Sequence, residues 1–370
     1  MDNTKKQITP GPPGRQRLTV EIPVGALIRA LELVASGSYA TVDDVIADGI
    51  EALRNRPGKD PNPKPHAAET VSVQSGPGVQ ALELGWNASG PMPKAVEPIG
   101  IESLPHPLIP ITVPRFLAAK FVLRFLARSV VRAATEYLEA DSFREQIRYA
   151  AFSWTEYVNR LDRQATHQRG RRLSTAFPDV ARDQEKSMSR FLEAYVGSAY
   201  SSGPKVGGLL PFLGFVSLRG PAGRERIGIT EAGLRFTRIP NPVLDETEAS
   251  FPPFRNDEIA QILEAIATRS PAELDHMRYY LGSIKEMGRA SRSSLIPRMR
   301  NFYVRFWSPL DLNAGMVESM RATLHSRCLE LGFVETEREG RTASYNLTEA
   351  GAEWLRGGSV RNTRGVEQNG

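Results

Sequence analysis

Cysteine is almost missing: Cys328 is the single one in 370 residues. That excludes an intrachain disulfide framework and a thiolate zinc site, and it fits a reducing, cytoplasmic setting. The five histidines, His66, His106, His167, His276 and His325, show no ligand spacing, so neither a metal nor a cofactor is expected. Long apolar runs are missing too. The most apolar stretch, IPITVPRFLAAKFVLRFLARSVV, is interrupted by Arg115, Lys120, Arg124 and Arg128, which excludes a membrane span. The opening MDNTKKQITPGPPG has no apolar h-region and is not read as a signal peptide. Catalytic signatures are absent as well. There is no phosphate-binding G-x-x-x-x-G-K-[ST], no G-x-G-x-x-G after a strand, no G-x-S-x-G and no H-E-x-x-H. The carboxylates of DDVIAD (Asp43, Asp44, Asp48) fall on a predicted helix as cap and solvated face, and the chain is read as a non-enzyme.

What is present is an ordinary globular composition, 41% hydrophobic and 24% charged, long enough for two or three domains. The basic excess is small, 47 Lys+Arg against 42 Asp+Glu, but it is unevenly spread. Residues 115–172 hold twelve basic and six acidic side chains, and residues 276–306 hold seven and one, whereas residues 1–56 are balanced at seven each. Segmental basic charge is the footprint expected of a polyanion-binding protein, and equally of a solvated surface.

Five segments emerge. Residues 1–56 form a patterned block, 57–110 a linker rich in Pro, Gly and Ser, 111–247 a helical region, 248–357 a second one, and 358–370 a polar tail. In 111–247, PRFLAAKFVLRFLARSVVRAATEYLE places Lys120, Arg124, Arg128 and Arg132 four residues apart on one helical face. Such a stripe could follow a nucleic-acid backbone, which makes these four the phosphate-contact candidates.

The N-terminal block begins with strict alternation: Leu18, Val20 and Ile22 on one side, Arg17, Thr19 and Glu21 on the other, stopped at Pro23. Two short helices follow, the second opened by Thr41-Val-Asp-Asp44. A lone strand cannot satisfy its own backbone groups, so pairing with the same strand of a second chain is expected. With its segment Gly37-Ser-Tyr39-Ala-Thr41-Val-Asp-Asp44, the block resembles the ribbon-helix-helix family, in particular its antitoxin-like branch. The resemblance implies a homodimer whose outward strand residues Arg17, Thr19 and Glu21 enter a major groove. It also implies a phosphate held at the backbone of Thr41 and Val42. Glu21 and Ala47 depart from the family pattern, the first by facing an anionic groove and the second by replacing a common basic residue. Dimerisation without DNA contact stays open.

Two stretches read almost alike: LGFVSLRGPAGRERIGITEAG (213–233) and LGFVETEREGRTASYNLTEAG (331–351), offset by 118 residues without an insertion. In each, Leu-Gly suits the left-handed end of a helix, a hairpin follows, and a threonine caps a short helix. Together these features resemble the second half of a winged helix-turn-helix domain, as in bacterial regulators of the multidrug-resistance and phenolic-acid type. The resemblance implies DNA contacts by Arg219, Arg224 and Arg226 on the first hairpin and by Arg338 and Arg341 on the second. Upstream of the second copy, NAGMVESMRATLHSRCLELG is predicted to be a recognition helix offering Arg321, His325, Ser326 and Arg327. The matching first segment, SSGPKVGGLLPFLG, carries Gly207, Gly208 and Pro211, which cost a helix about 1 kcal/mol per Gly and about 3 for Pro. A poor helix is expected there, and the first copy is equally open to a protein-binding role.

The fold expected is therefore mostly α with small β elements: a ribbon-helix-helix domain followed by tandem winged-helix domains. The function expected is a dimeric, sequence-specific protein bound to double-stranded DNA, cytoplasmic and nucleoid-associated, regulating transcription in a bacterium or mobile element. A plasmid replication or partition factor is one alternative. A non-catalytic DNA-binding or interaction subunit of a larger nucleic-acid or defence complex is the other.

Overall fold

Helix and hairpin alternate in the chain because apolar periodicity switches between 3.6 and 2 at each Gly- or Thr-marked boundary. The computed structural model describes residues 92–167, 169–179, 183–199, 205–245, 249–339 and 342–357. The ribbon-helix-helix-like block with Arg17, Thr19, Glu21, Thr41 and Val42 lies outside the described residues, as do Arg341 and the tail 358–370. The described residues are mostly helical, with two small antiparallel sheets of three strands each. None of their helices is long and apolar enough to cross a membrane.

The first half runs α1 (Leu117–Arg132), β1 (Leu138–Glu139), α2 (Ala140–Gln164), α3 (Gln184–Tyr195), α4 (Leu209–Phe212), β2 (Val216–Arg219), β3 (Arg226–Ile229) and α5 (Glu231–Arg238). The second half runs α6 (Asn256–Arg269), α7 (Pro271–Met287), β4 (Ala290–Ser291), α8 (Arg292–Tyr303), α9 (Ala314–Glu330), β5 (Val334–Glu339), β6 (Thr342–Leu347) and α10 (Glu349–Leu355). Helix α1 is buried on nearly every side, its cationic residues Lys120 and Arg124 included, and Phe121, Val122, Leu123, Leu126 and Val130 are completely buried. A helix of that kind belongs in the middle of a core rather than on its surface. Phe121 stacks on Trp154 of α2 and meets Phe177 edge-on, which ties α1 to the following helix and to the turn after it.

Both sheets place the short first strand and the first hairpin strand on either side of the second hairpin strand, in the orders β1-β3-β2 and β4-β6-β5. The hairpin registers keep the 118-residue offset, Val216 pairing with Ile229 and Val334 with Leu347, and the short first strands meet equivalent positions, Leu138 opposite Ile227 and Ala290 opposite Tyr345. The repeat is also a repeat of hydrogen bonds. Gly214 and Gly332 take positive φ (68° and 75°), the left-handed turn that glycine adopts without penalty. The Thr230 and Thr348 hydroxyls donate to the carbonyls of those glycines at 2.7 and 2.6 Å. The same hydroxyls accept from Gly233 and Gly351 N–H, both at 3.1 Å, capping α5 and α10. Phe215 stacks on Phe236 at 5.0 Å and Phe333 on Trp354 at 5.2 Å, again 118 residues apart. A side chain on Gly233 or Gly351 would overlap the carbonyl oxygen of Phe215 or Phe333, so both positions need glycine for close approach.

The segments feeding the two hairpins differ, as Gly207, Gly208 and Pro211 foretell. The first hairpin is preceded by a helix of four residues, α4, and the second by one of seventeen, α9. One boundary is corrected. Residues 92–110, read as linker, lie along the body of the fold instead. Val96 N–H donates to Ile229 at 2.9 Å, Arg269 donates to the Ile99 carbonyl at 2.8 Å, and Leu108 and Ile109 are buried. Proline breaks helix and strand in this segment without preventing an extended chain from packing.

Thr348→Ala removes the α10 cap and is expected to cost about 1 kcal/mol in urea denaturation. Gly351→Ala, which forces a backbone shift, is expected to cost more than the cap, and the same order holds for Thr230 and Gly233.

Candidate nucleic-acid interface

The cationic stripe of α1 shares one face, but that face is turned inward. Lys120 and Arg124 are completely buried, a correction to their reading as phosphate contacts. The Lys120 ammonium donates to the Ile239 carbonyl at 2.7 Å and pairs with the Glu258 carboxylate of α6. Arg124 donates to the carbonyls of Thr237 (3.2 Å) and Ile239 (2.9 Å) and forks onto Asp245. Cations are thus placed where the carbonyls of α5 run out, at the negative end of its dipole. Burial pushes the Lys120 ammonium down to about 8 and the Glu258 carboxyl up from its ordinary value. Only the far end of the stripe reaches outward: Arg128 is half-buried and Arg132 exposed.

Helix α9 is corrected in the same way. Arg321, His325 and Arg327, expected to face a groove, are all buried, and Ser326 is half-buried. Arg327 donates to the Val113 carbonyl at 2.9 Å and pairs with buried Glu273 of α7 at 2.9 Å. Glu273 also accepts from the Ile109 N–H at 3.1 Å, and the nearby Arg327 holds its carboxyl below the ordinary value against the effect of burial. Arg321 is held by Glu318 on its own helix at 2.8 and 2.9 Å. His325 bridges the Tyr280 hydroxyl (2.8 Å) and Thr336 (3.0 Å), and burial lowers its pKa to about 3, so it is neutral. At the end of α9, Glu330 accepts from the backbone N–H groups of Phe116 and Leu117, the latter at 3.2 Å. A carboxylate from 213 residues away therefore caps the positive end of α1.

The first hairpin keeps its cations exposed. Arg219 and Arg226 sit directly opposite on β2 and β3, an arrangement of like charges that costs stability in a sheet. The ring of Tyr137, half-buried beside β1, takes both: its centroid is 5.8 Å from the Arg219 guanidinium and 5.4 Å from that of Arg226. Each such contact contributes about 0.5–1 kcal/mol at an exposed site. Gly228 makes room for the ring, since a Cβ there would stand 3.0 Å from Tyr137 carbons. Arg224 extends the patch into the turn, and Lys94 flanks it, paired with Glu136. The structure thus brings together Arg219, Arg224 and Arg226. On the second hairpin Arg338 is exposed between Glu337 and Glu339 in the acidic strand VETERE.

Sequence reasoning missed Tyr137 and the buried partners Glu258, Glu273 and Glu330. A signal existed for the first, because a glycine inside a strand, here RIGI, marks the close approach of another group. For the buried cations there was no local signal, since their partners lie far away in the chain. Among the described residues no group of three or more His, Cys, Asp or Glu could hold a metal ion. Comparison with protein-family models, curated proteins and solved structures finds no match.

Lys120→Ala strands a buried Glu258 carboxylate and is expected to cost about 3–5 kcal/mol in chemical denaturation, whereas Arg132→Ala stays within about 0.5 kcal/mol. Burial raises Glu330 from 4.5 to about 7. A carboxyl raised on folding contributes stability that is fully present below the unfolded value and lost as pH rises through the folded one. Glu330→Gln is therefore expected to flatten the loss of stability between about pH 5 and pH 8, read from denaturation midpoints.

Proposed function

We infer that the chain is a dimeric, sequence-specific DNA-binding protein, a transcriptional regulator, whose residues 111–357 are two winged-helix modules fused through buried ion pairs. The observation that carries the reading is the exposed Arg219–Tyr137–Arg226 cluster on a short hairpin, with Arg224 in its turn. Guanidinium groups at a hairpin tip suit phosphate oxygens and the negative potential of a narrow minor groove. The winged-helix reading is supported by the shared order of helix, short strand, helices, hairpin and capped helix, and by the matching strand orders of the two sheets. The N-terminal block, by its resemblance to ribbon-helix-helix proteins, supplies the dimer contact and a second DNA contact in this proposal. Linked modules gain avidity through effective concentration.

In this reading the first hairpin, rather than α9, makes the contact from the helical body. The burial of Arg321, His325 and Arg327 leaves α9 with few long side chains to offer a groove. That burial also favours a second reading, in which the second half is a scaffold within a larger nucleic-acid complex and does not touch DNA itself.

Fluorescence anisotropy of the full chain against genomic DNA fragments in a salt series tests the proposal. Arg219→Ala/Arg226→Ala is expected to weaken binding and to lower the slope of log K against log salt by about 2, one increment of about 0.9 per lost phosphate contact. An unchanged slope with an unchanged melting temperature removes the hairpin from the interface.

A further inference from the structure

Between the two halves lies a cavity of about 260 Å³ that the hairpin does not use. Its walls come from three parts of the chain: Glu193 from α3 of the first half, His106 and Ile109 from the segment before α1, and Trp307, Met316 and Met320 from the second half. We propose that this cavity is a binding site for a small organic cation carrying one aromatic ring, with Glu193 as its counter-ion.

Size sets the first limit. A cavity of about 150 Å³ accepts benzene, so this one holds a ring with a short arm. The chemistry of the lining sets the second. Trp307 lines the cavity, with the His106 ring tilted against it at 6.4 Å, and the thioethers of Met316 and Met320 suit the edge of an aromatic ligand. Tryptophan is the best of the aromatic faces for a cation. Charge sets the third. The lining holds a single carboxylate, Glu193, and neither lysine nor arginine. Glu193 is exposed at the rim and makes no ion pair among the described residues. An anionic ligand would meet a bare carboxylate there, while an ammonium would be paired and lie over an aromatic ring. Because the walls belong to both halves, an occupant binds only while the halves are together. Binding therefore stabilises the joined state by mass action.

The test uses the full chain and three molecules of one shape and different charge: 2-phenylethylamine, 2-phenylethanol and phenylacetate. Isothermal titration calorimetry is expected to give submillimolar binding of the amine, about tenfold tighter than the alcohol, from one partly solvated charge pair. Glu193→Gln, a substitution at an exposed position, is expected to bring the amine to the level of the alcohol. Met316→Trp, at a half-buried position, narrows the cavity and is expected to weaken binding of both. The proposal is overturned if the amine does not bind, if phenylacetate binds as tightly, or if the amine binds both variants as it binds the parent. DNA affinity of Glu193→Gln, measured in parallel, is expected to be unchanged, which separates this site from the hairpin.

Discussion

Two buried ion pairs, Lys120–Glu258 across the halves and Arg327–Glu273 within the second, lie about the start of α1, and much of the structure depends on them. Lys120 belongs to α1 and Glu258 to α6, so this pair crosses directly between the halves. Arg327 crosses differently: paired within the second half, it reaches the Val113 carbonyl at the entry to α1. Glu330 closes the arrangement by capping α1. A buried pair adds little net stability over a hydrophobic replacement, because desolvation consumes most of the Coulomb gain. Its effect lies in what misalignment costs. Sliding one half against the other would strand charges in a medium where each is expensive, so only one docking satisfies all of them.

That docking gives the two copies of the repeated unit different surroundings. The hairpin, its glycine turn and its threonine cap are backbone devices, and they recur down to the ring stacked under each hairpin. The cations differ in fate. On the first hairpin they sit opposite one another on Tyr137 and remain outside. Those preceding the second hairpin are drawn inward by Glu273 and Glu318. Of the two hairpins, the first therefore carries the exposed arginine pair, although the second has the better helix before it.

Legibility followed the range of the forces involved. The hairpins and caps were readable because each depends on residues a few positions apart: Leu-Gly for the turn, alternation for the strands, Thr-Glu-Ala-Gly for the cap. The failure of α4 as a helix was readable for the same reason, from Gly207, Gly208 and Pro211. The direction of a charged face was not. Spacing put Lys120 and Arg124 on one side of α1, and nothing local states whether that side meets water or a carboxylate 138 residues away. The aromatic under the hairpin was half legible, since Gly228 announced a close neighbour without naming Tyr137.

By itself, then, the sequence determined the absence of a disulfide framework, the two hairpin units and their spacing, the helix before the second hairpin and the weakness of α4. Those follow from covalent geometry, short-range hydrogen bonding and side-chain periodicity. Tertiary structure alone decided which arginines and lysines are exposed, that residues 92–110 pack rather than tether, and that a cavity opens between the halves. Burial and the pairing of charges are properties of surfaces brought together from distant parts of the chain, and a basic side chain is an interface residue or a core residue according to what is packed against it.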